Sequence, residues 1–242
     1  HQGRNVLVDT IQALSKRALR KWMLQPSVLP PITNTLQERE AIDQVRIVPK
    51  KTHYVVEVVY NKEPHEQSQS QHVAGMDVGL GNLAVIASDK PGFTPVVVNG
   101  RPLKSINQYY NKQRARLQSL LPGNRKTSRR IDRLTDKRNR KINHYLHVAS
   151  RRIVELLVQQ DVGALIVGKN DGWKQKAGMG RRTNQNFISV PHARFLHLLE
   201  YKLQLSGIVC QFTKENHTSK CSFLDLEPVE HREHYVGKRV RR

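Results

Sequence analysis

An aspartate inside an apolar strand, followed at once by a glycine-rich turn, has the most chemistry to offer in this chain. It lies in His72-Val-Ala-Gly-Met-Asp-Val-Gly-Leu-Gly-Asn-Leu-Ala-Val-Ile-Ala87, with Asp77 between Met76 and Val78. A carboxylate enclosed by apolar neighbours costs several kcal/mol unless a charge compensates it, and a metal ion is the usual compensation. Gly79 and Gly81 leave room for a phosphate backbone to approach. The structural alternative is an Asp that caps a hairpin turn.

Two-metal phosphodiester cleavage needs carboxylates from different elements, converging on cations about 3.5–4 Å apart. Hard oxygen ligands suit Mg²⁺ or Mn²⁺. A partner acid is expected where the strand beside that of Asp77 ends. There the chain reads Leu165-Ile-Val-Gly-Lys-Asn-Asp171, with Gly168 and Lys169 where an acid would stand. Glu215, just past the next strand, is the stronger candidate, because a longer side chain from a neighbouring strand reaches the same metal. Asp171, three residues beyond Gly168 in a basic loop, is the other. Either could instead be an exposed charge beside Lys214 or Lys174. Asp225, Glu227 and Glu230 follow in a polar tail that does not read as a helix presenting a third acid. No zinc is expected: Cys210 and Cys221 are not paired at ligand spacing, and His217, Cys221, His231 and His234 form only a loose set.

The elements that must hold these residues follow from periodicity. Three short strands, Val73 to Val78, Leu83 to Ala87 and Pro95 to Val98, have connections short enough for an antiparallel meander. Ile106, Tyr109, Tyr110, Leu117, Leu120 and Leu121 fit one helical stripe. Ile131, Leu134, Ile142, Tyr145, Leu146, Ala149, Ile153, Leu156 and Leu157 fit a second. Pro122-Gly123-Asn124 separates them, which predicts a helical hairpin. Strand Ala164 to Val167, helix His192 to Leu205 and strand Gly207 to Phe212 complete an order matching an RNase H-like layout. Before it, Val6 to Ile11, Val45 to Val48 and His53 to Tyr60 read as strands, and Pro26 to Pro31 breaks a helix begun at Ser15 to Met23. Residues 61–71 read as a linker between a β-rich region, 1–70, and a second domain, 71–242.

The charge is localised. Lys and Arg number 41 against 20 Asp and Glu, a net charge of +21. Residues 101–152 alone hold sixteen basic residues against Asp132 and Asp136. Such a surplus is the footprint of a polyanion. Nucleic acid fits better than a membrane, since the basic helices lack the aromatic and leucine face of an interfacial anchor. Lys104, Arg114, Arg125, Arg129, Arg130, Arg133, Arg138 and Arg140 are the expected contacts, with Lys169, Lys174, Arg181 and Arg182 in a glycine-containing loop. They would touch phosphates and position the partner without reading its sequence. The two unpaired cysteines suit a reducing cytosol, and the expected location is cytoplasmic, beside the nucleoid.

These motifs together carry a resemblance. Gly75-Met-Asp-Val-Gly-Leu-Gly-Asn-Leu-Ala84 resembles the first RuvC motif of the TnpB (OrfB-type) transposon proteins, relatives of type V CRISPR effectors. Similarity continues through Asn99-Gly-Arg-Pro-Leu-Lys-Ser-Ile-Asn-Gln-Tyr-Tyr110, Gly168-Lys-Asn-Asp-Gly-Trp-Lys-Gln175, Asn184-Gln-Asn-Phe187 and Thr218-Ser-Lys-Cys-Ser222. The resemblance implies a transposition-associated, RNA-guided DNA endonuclease, long described as a transposase, with guide RNA and target DNA as partners. It implies a β-barrel wedge, of which residues 1–70 would be the late part, then an RNase H-like RuvC domain with an inserted basic hairpin. Gly168 departs from the family's glutamate, Glu215 would be its relocated equivalent, and the family's cysteine ribbon is not intact. The third catalytic aspartate would follow Arg242, so the expectation is a chain cut at both ends, with an impaired site. The competing expectations are an inactive nucleic-acid-binding module from the same family, and an unrelated basic RNA-binding protein in which Asp77 only shapes a turn.

Overall fold

The computed structural model describes residues 6–21, 23–26, 29–33, 42–168, 190–214, 221–222 and 225–237. The chain divides into two compact units, His1–Pro64 with Lys112–Asn139, and His65–Asn111 with Arg140–Arg242. No helix among the described residues is long and apolar enough to cross a membrane.

In the first unit, β1 (Leu7–Thr10), β4 (Ile42–Pro49) and β5 (Tyr54–Tyr60) form an antiparallel sheet in the order β1-β4-β5. A two-stranded ribbon pairs β2 (Met23–Leu24) with β3 (Ile32–Thr33). Leu14, Leu24, Ile42 and Val45 make its small core. The helix expected from Ser15 to Met23 is a single turn, α1 (Lys16–Leu19), which the Ser15 hydroxyl caps at the Ala18 amide. Met23 is drawn into the ribbon instead, so pairing overrides helix propensity there.

The second unit is built on a five-stranded mixed sheet. Its strands are β6 (Val73–Val78), β7 (Asn82–Ser88), β8 (Val96–Asn99), β9 (Ala164–Gly168) and β10 (Val209–Thr213), in the order β10-β9-β6-β7-β8. The meander β6-β7-β8 is antiparallel, while β9 and β10 run parallel to β6, so Asp77's strand is central. Three helices make the connections: α2 (Arg101–Ser119), α3 (Arg129–Gln159) and α4 (His192–Leu205). Leu103 of α2, Ile142, Leu146, Ile153 and Leu157 of α3, and Phe195, Leu199 and Leu203 of α4 join one core with Met76, Ile86, Leu165 and Val167. The first stripe holds in part: Leu103 is buried, Ile106 packs on the core, and Tyr110, Leu117 and Leu121 are half-buried, but Tyr109 and Leu120 are 62% and 70% exposed.

Both crossover helices end alike. In α4, Ile208 N donates to Leu203 O (3.0 Å) and Gly207 N to Gln204 O (3.1 Å), with Gly207 at φ +71°. In α3, Val162 N donates to Leu157 O (3.0 Å) and Asp161 N to Val158 O (3.1 Å), with Asp161 at φ +48°. Ile208 and Val162, the residues after each left-handed turn, are buried against Leu203 and Leu157 of the same core, as this type of helix ending requires.

The segment expected to be a linker is in large part a fixed piece of this unit. His65 N donates to Leu205 O (3.1 Å), Ser68 N to Gly207 O (2.8 Å), and Ser70 Oγ to Asp161 O (2.5 Å). Residues 65–72 thus form a strap that satisfies carbonyls left over at both helix ends. Gly163 and Gly207 make its passage possible: a Cβ on either would lie 2.1 Å from a strap carbonyl oxygen, that of Ser70 or Glu66.

Candidate functional site

Strand alternation sends Ala74, Met76 and Val78 into the core and leaves Gly75 and Asp77 exposed on the opposite face. Asp77 is therefore not enclosed by apolar groups, and the desolvation cost expected from its neighbours in sequence does not arise. The reason is that the described helices α2, α3 and α4 all pack on the face that carries Ala74, Met76 and Val78. Asp77 is a hydrated carboxylate on the open face, beside Gly75, Ala87, Val97 and Gln211, which are exposed as well.

The register sets what stands next to it. Asp77 pairs with Val85 of β7. On the other side Met76 pairs with Val167, so the next step sets Gly168 beside Asp77, and Gly168 pairs with Thr213 of β10. The end of the adjacent strand thus carries glycine at the level of Asp77. Glu215 comes two residues after Thr213 in the chain. Glu215, Asp171, Lys169, Lys174, Arg181 and Arg182 lie outside the described residues. Among the described residues no three His, Cys, Asp or Glu are grouped to hold a metal ion.

The turn after Asp77 is pinned from three elements. Gly79 N donates to Leu83 O (3.3 Å), and Gly100 N donates to Gly81 O (2.9 Å). His192, buried at the start of α4, lies with Nε2 3.0 Å from the Gly79 carbonyl oxygen. A carbonyl only accepts, so that nitrogen carries the proton. The Lys104 ammonium of α2 stands 3.9 Å from the place a Gly81 Cβ would occupy, which puts a cation at the turn. Asn99 Oδ1 caps α2 at the Arg101 amide (2.9 Å), and the Tyr145 hydroxyl donates to the Asn99 carbonyl. In the sequence His192 is marked only as a histidine heading an apolar helix.

Gly100 explains why the first motif and Asn99-Gly100 occur together. A Cβ there would meet Leu80 O at 2.5 Å, Gly81 O at 3.0 Å and Leu83 N at 3.1 Å, all backbone atoms. Gly100→Ala is expected to cost about 1–3 kcal/mol, the usual penalty of overpacking. Urea unfolding at unchanged m-value would measure it, and parental stability would show that the turn yields.

Most cations of the basic hairpin have no acid opposite them among the described residues. Its two acids are engaged within the first unit: Asp132 by Lys51 (3.5 Å) and Thr127 (3.0 Å), Asp136 by the Thr52 hydroxyl and His53 (3.6 Å). Arg114, Arg125, Arg129, Arg130, Arg133 and Arg140 are exposed and make no ion pair among the described residues. Arg138 is half-buried and donates to Asn139 Oδ1 (2.9 Å).

Residues 53–174, about half the chain, match the OrfB_IS605 family, described as "Probable transposase". The chain belongs to the OrfB_IS605 family. This is the TnpB-type family that the motifs resemble, and its matched span runs from just before β5 to six residues past β9, with Asp77, Gly100 and the basic hairpin inside it. No curated protein matches the chain. Among solved structures, the OrfB_IS605 chain is similar to a Cas12f1 in complex with sgRNA and target DNA, with TM-score 0.58 and 16% identity over 78% of this chain and 39% of that one. A CRISPR-Cas12f ternary complex gives TM-score 0.52 and 18% identity over 75% of this chain and 37% of that one. The likeness is one of fold, a mixed α/β arrangement, and the chain spans about two fifths of the length of those solved chains.

Proposed function

We propose that this OrfB_IS605 chain carries the RuvC-type, RNase H-like site of an RNA-guided DNA endonuclease, with residues 1–70 as part of a wedge-like domain. Asp77 and Glu215 are its metal-holding carboxylates. The observation that carries this reading is the register: Asp77 lies exposed on the central strand, level with Gly168, which pairs with Thr213, and Glu215 follows Thr213 by two residues in the chain. Both residues offer hard carboxylate oxygens, which fit Mg²⁺ or Mn²⁺. Once bound, such an ion polarises the phosphate and activates water. The chain's own share is to hold the scissile strand. Lys104 sets a positive charge at the turn, Gly79 and Gly81 admit the backbone, and the unpaired arginines of the hairpin take phosphates of guide RNA or target DNA. A cytoplasmic, nucleoid-associated location follows from those partners.

The second reading, a nucleic-acid-binding module without cleavage, is favoured by one observation, the glycine at position 168. Calorimetric titration of Mn²⁺ into the parent, Asp77→Ala and Glu215→Gln separates the two. The nuclease reading expects weaker binding in both variants. Equal Mn²⁺ affinity in all three proteins defeats it.

A further inference from the structure

On the covered side of the second unit, behind the core and away from Asp77, α3 and α4 bring cations together with little to balance them. Between Arg140 and Val154 the chain has four Lys and Arg and no acid, although Arg151 and Arg152 both reach Glu155. Lys202 of α4 is half-buried and fixed: its ammonium donates to the His147 carbonyl (2.9 Å) and to the Ser150 hydroxyl (2.7 Å), and Ser150 is fully buried. Two of its three N–H groups are used among the described residues, and the ammonium also stands 5.9 Å from the Tyr201 ring centroid. Arg194 of α4 and His144 and His147 of α3 are exposed beside it. Arg151 comes next on α3, tied to Glu155 at 2.7 Å.

The electrostatics report crowding of like charge. Burial, then Lys202, Arg194 and His144, hold the His147 imidazole below its ordinary range. Burial and then Arg151 lower the Lys202 ammonium. A surface that only needed solvation would mix both signs, as Glu155 does one turn further along α3. A fixed ammonium and an exposed guanidinium that both act on the His147 imidazole are relieved by an anion with repeated charges.

We propose that the groove between α3 and α4, centred on Lys202, Arg194 and His147, binds the phosphodiester backbone of a nucleic-acid strand. It rests on the reading of the chain as a nucleic-acid-handling protein and adds a second contact surface to it, on the face of the sheet opposite Asp77. A strand held there is gripped by the helices and leaves the open face clear.

The test is fluorescence anisotropy with labelled single-stranded RNA and DNA of one sequence, across a salt series. Arg194→Glu changes an exposed side chain, and Lys202→Met keeps the packing of the lysine stem. Each is expected to weaken binding of at least one strand roughly 5- to 20-fold, and to lessen the slope of log K against log salt by about 1 per lost phosphate contact. Which strand responds names the partner. Lys62→Glu, exposed and in the first unit, is the control for net charge. Unchanged affinity in both groove variants, or equal weakening by Lys62→Glu, overturns the proposal. So does loss of binding to anionic vesicles with both strands unaffected, which would make the groove a membrane contact. Mn²⁺ affinity at Asp77 is expected to stay parental in Arg194→Glu, so failure of the groove and failure of the nuclease site are read separately.

Discussion

Asp77→Asn is expected to lower Mn²⁺-supported cleavage of labelled single-stranded DNA by about 10³-fold or more, with thermal stability unchanged. The two halves of this expectation have different causes. Asparagine keeps the shape of the side chain but removes the charge that attracts a divalent cation, and an ion's electrostatic contribution is worth several kcal/mol, at about 1.4 kcal/mol per tenfold. Stability stays within about 0.5 kcal/mol because the carboxylate is exposed on the uncovered face and leaves no buried partner behind. Cleavage at the parental rate would sink the assignment of Asp77. A large loss of stability would show instead that the carboxylate has a structural role in the turn.

Gly207→Ala should be the most damaging substitution for the second unit. Its φ of +71° costs a side chain about 1–2 kcal/mol. Its Cβ would also lie 2.1 Å from Glu66 O, so the strap must move away from the end of α4, and overpacking of this kind adds about 1–3 kcal/mol. Gly92 separates the two contributions. It has φ +78° with nothing within 4 Å of its Cβ position, so Gly92→Ala carries the conformational cost alone. Urea unfolding of both variants gives the difference due to the strap. Hydrogen exchange at the Ser68 amide, which donates to Gly207 O, should rise in Gly207→Ala and not in Gly92→Ala. Equal destabilisation by the two would mean the strap contributes nothing.

Periodicity made much of the second unit legible. Val73–Val78 and His192–Leu205 form over the residues the sequence marks out, because alternation and a 3.6-residue apolar period each admit one regular structure. The strap is not legible in the sequence, because residues 61–71 have a linker's composition and the boundary between the two units does fall within them, after Pro64. Their backbone hydrogen bonds go to two helix ends about ninety and one hundred and forty residues away, and no local pattern records that. Tyr109 and Leu120 of the first apolar stripe stay exposed, since periodicity shows which residues share a helix face but not how far a partner covers each of them.

The sequence by itself determined the motif around Asp77, the family that motif belongs to, the order of strands and helices, and the concentration of positive charge. These are properties of residues close together in the chain, where backbone sterics and apolar spacing act. Tertiary structure decided the rest. It left Asp77 hydrated, because the described helices pack against the face opposite its side chain. It set glycine rather than an acid at Asp77's level, because parallel register fixes which residues of β6, β9 and β10 stand side by side. It brought Lys202 to the carbonyl of His147, fifty-five residues away. Which charges meet, and which stay in water, depends on what covers each face, and only the packed chain settles that.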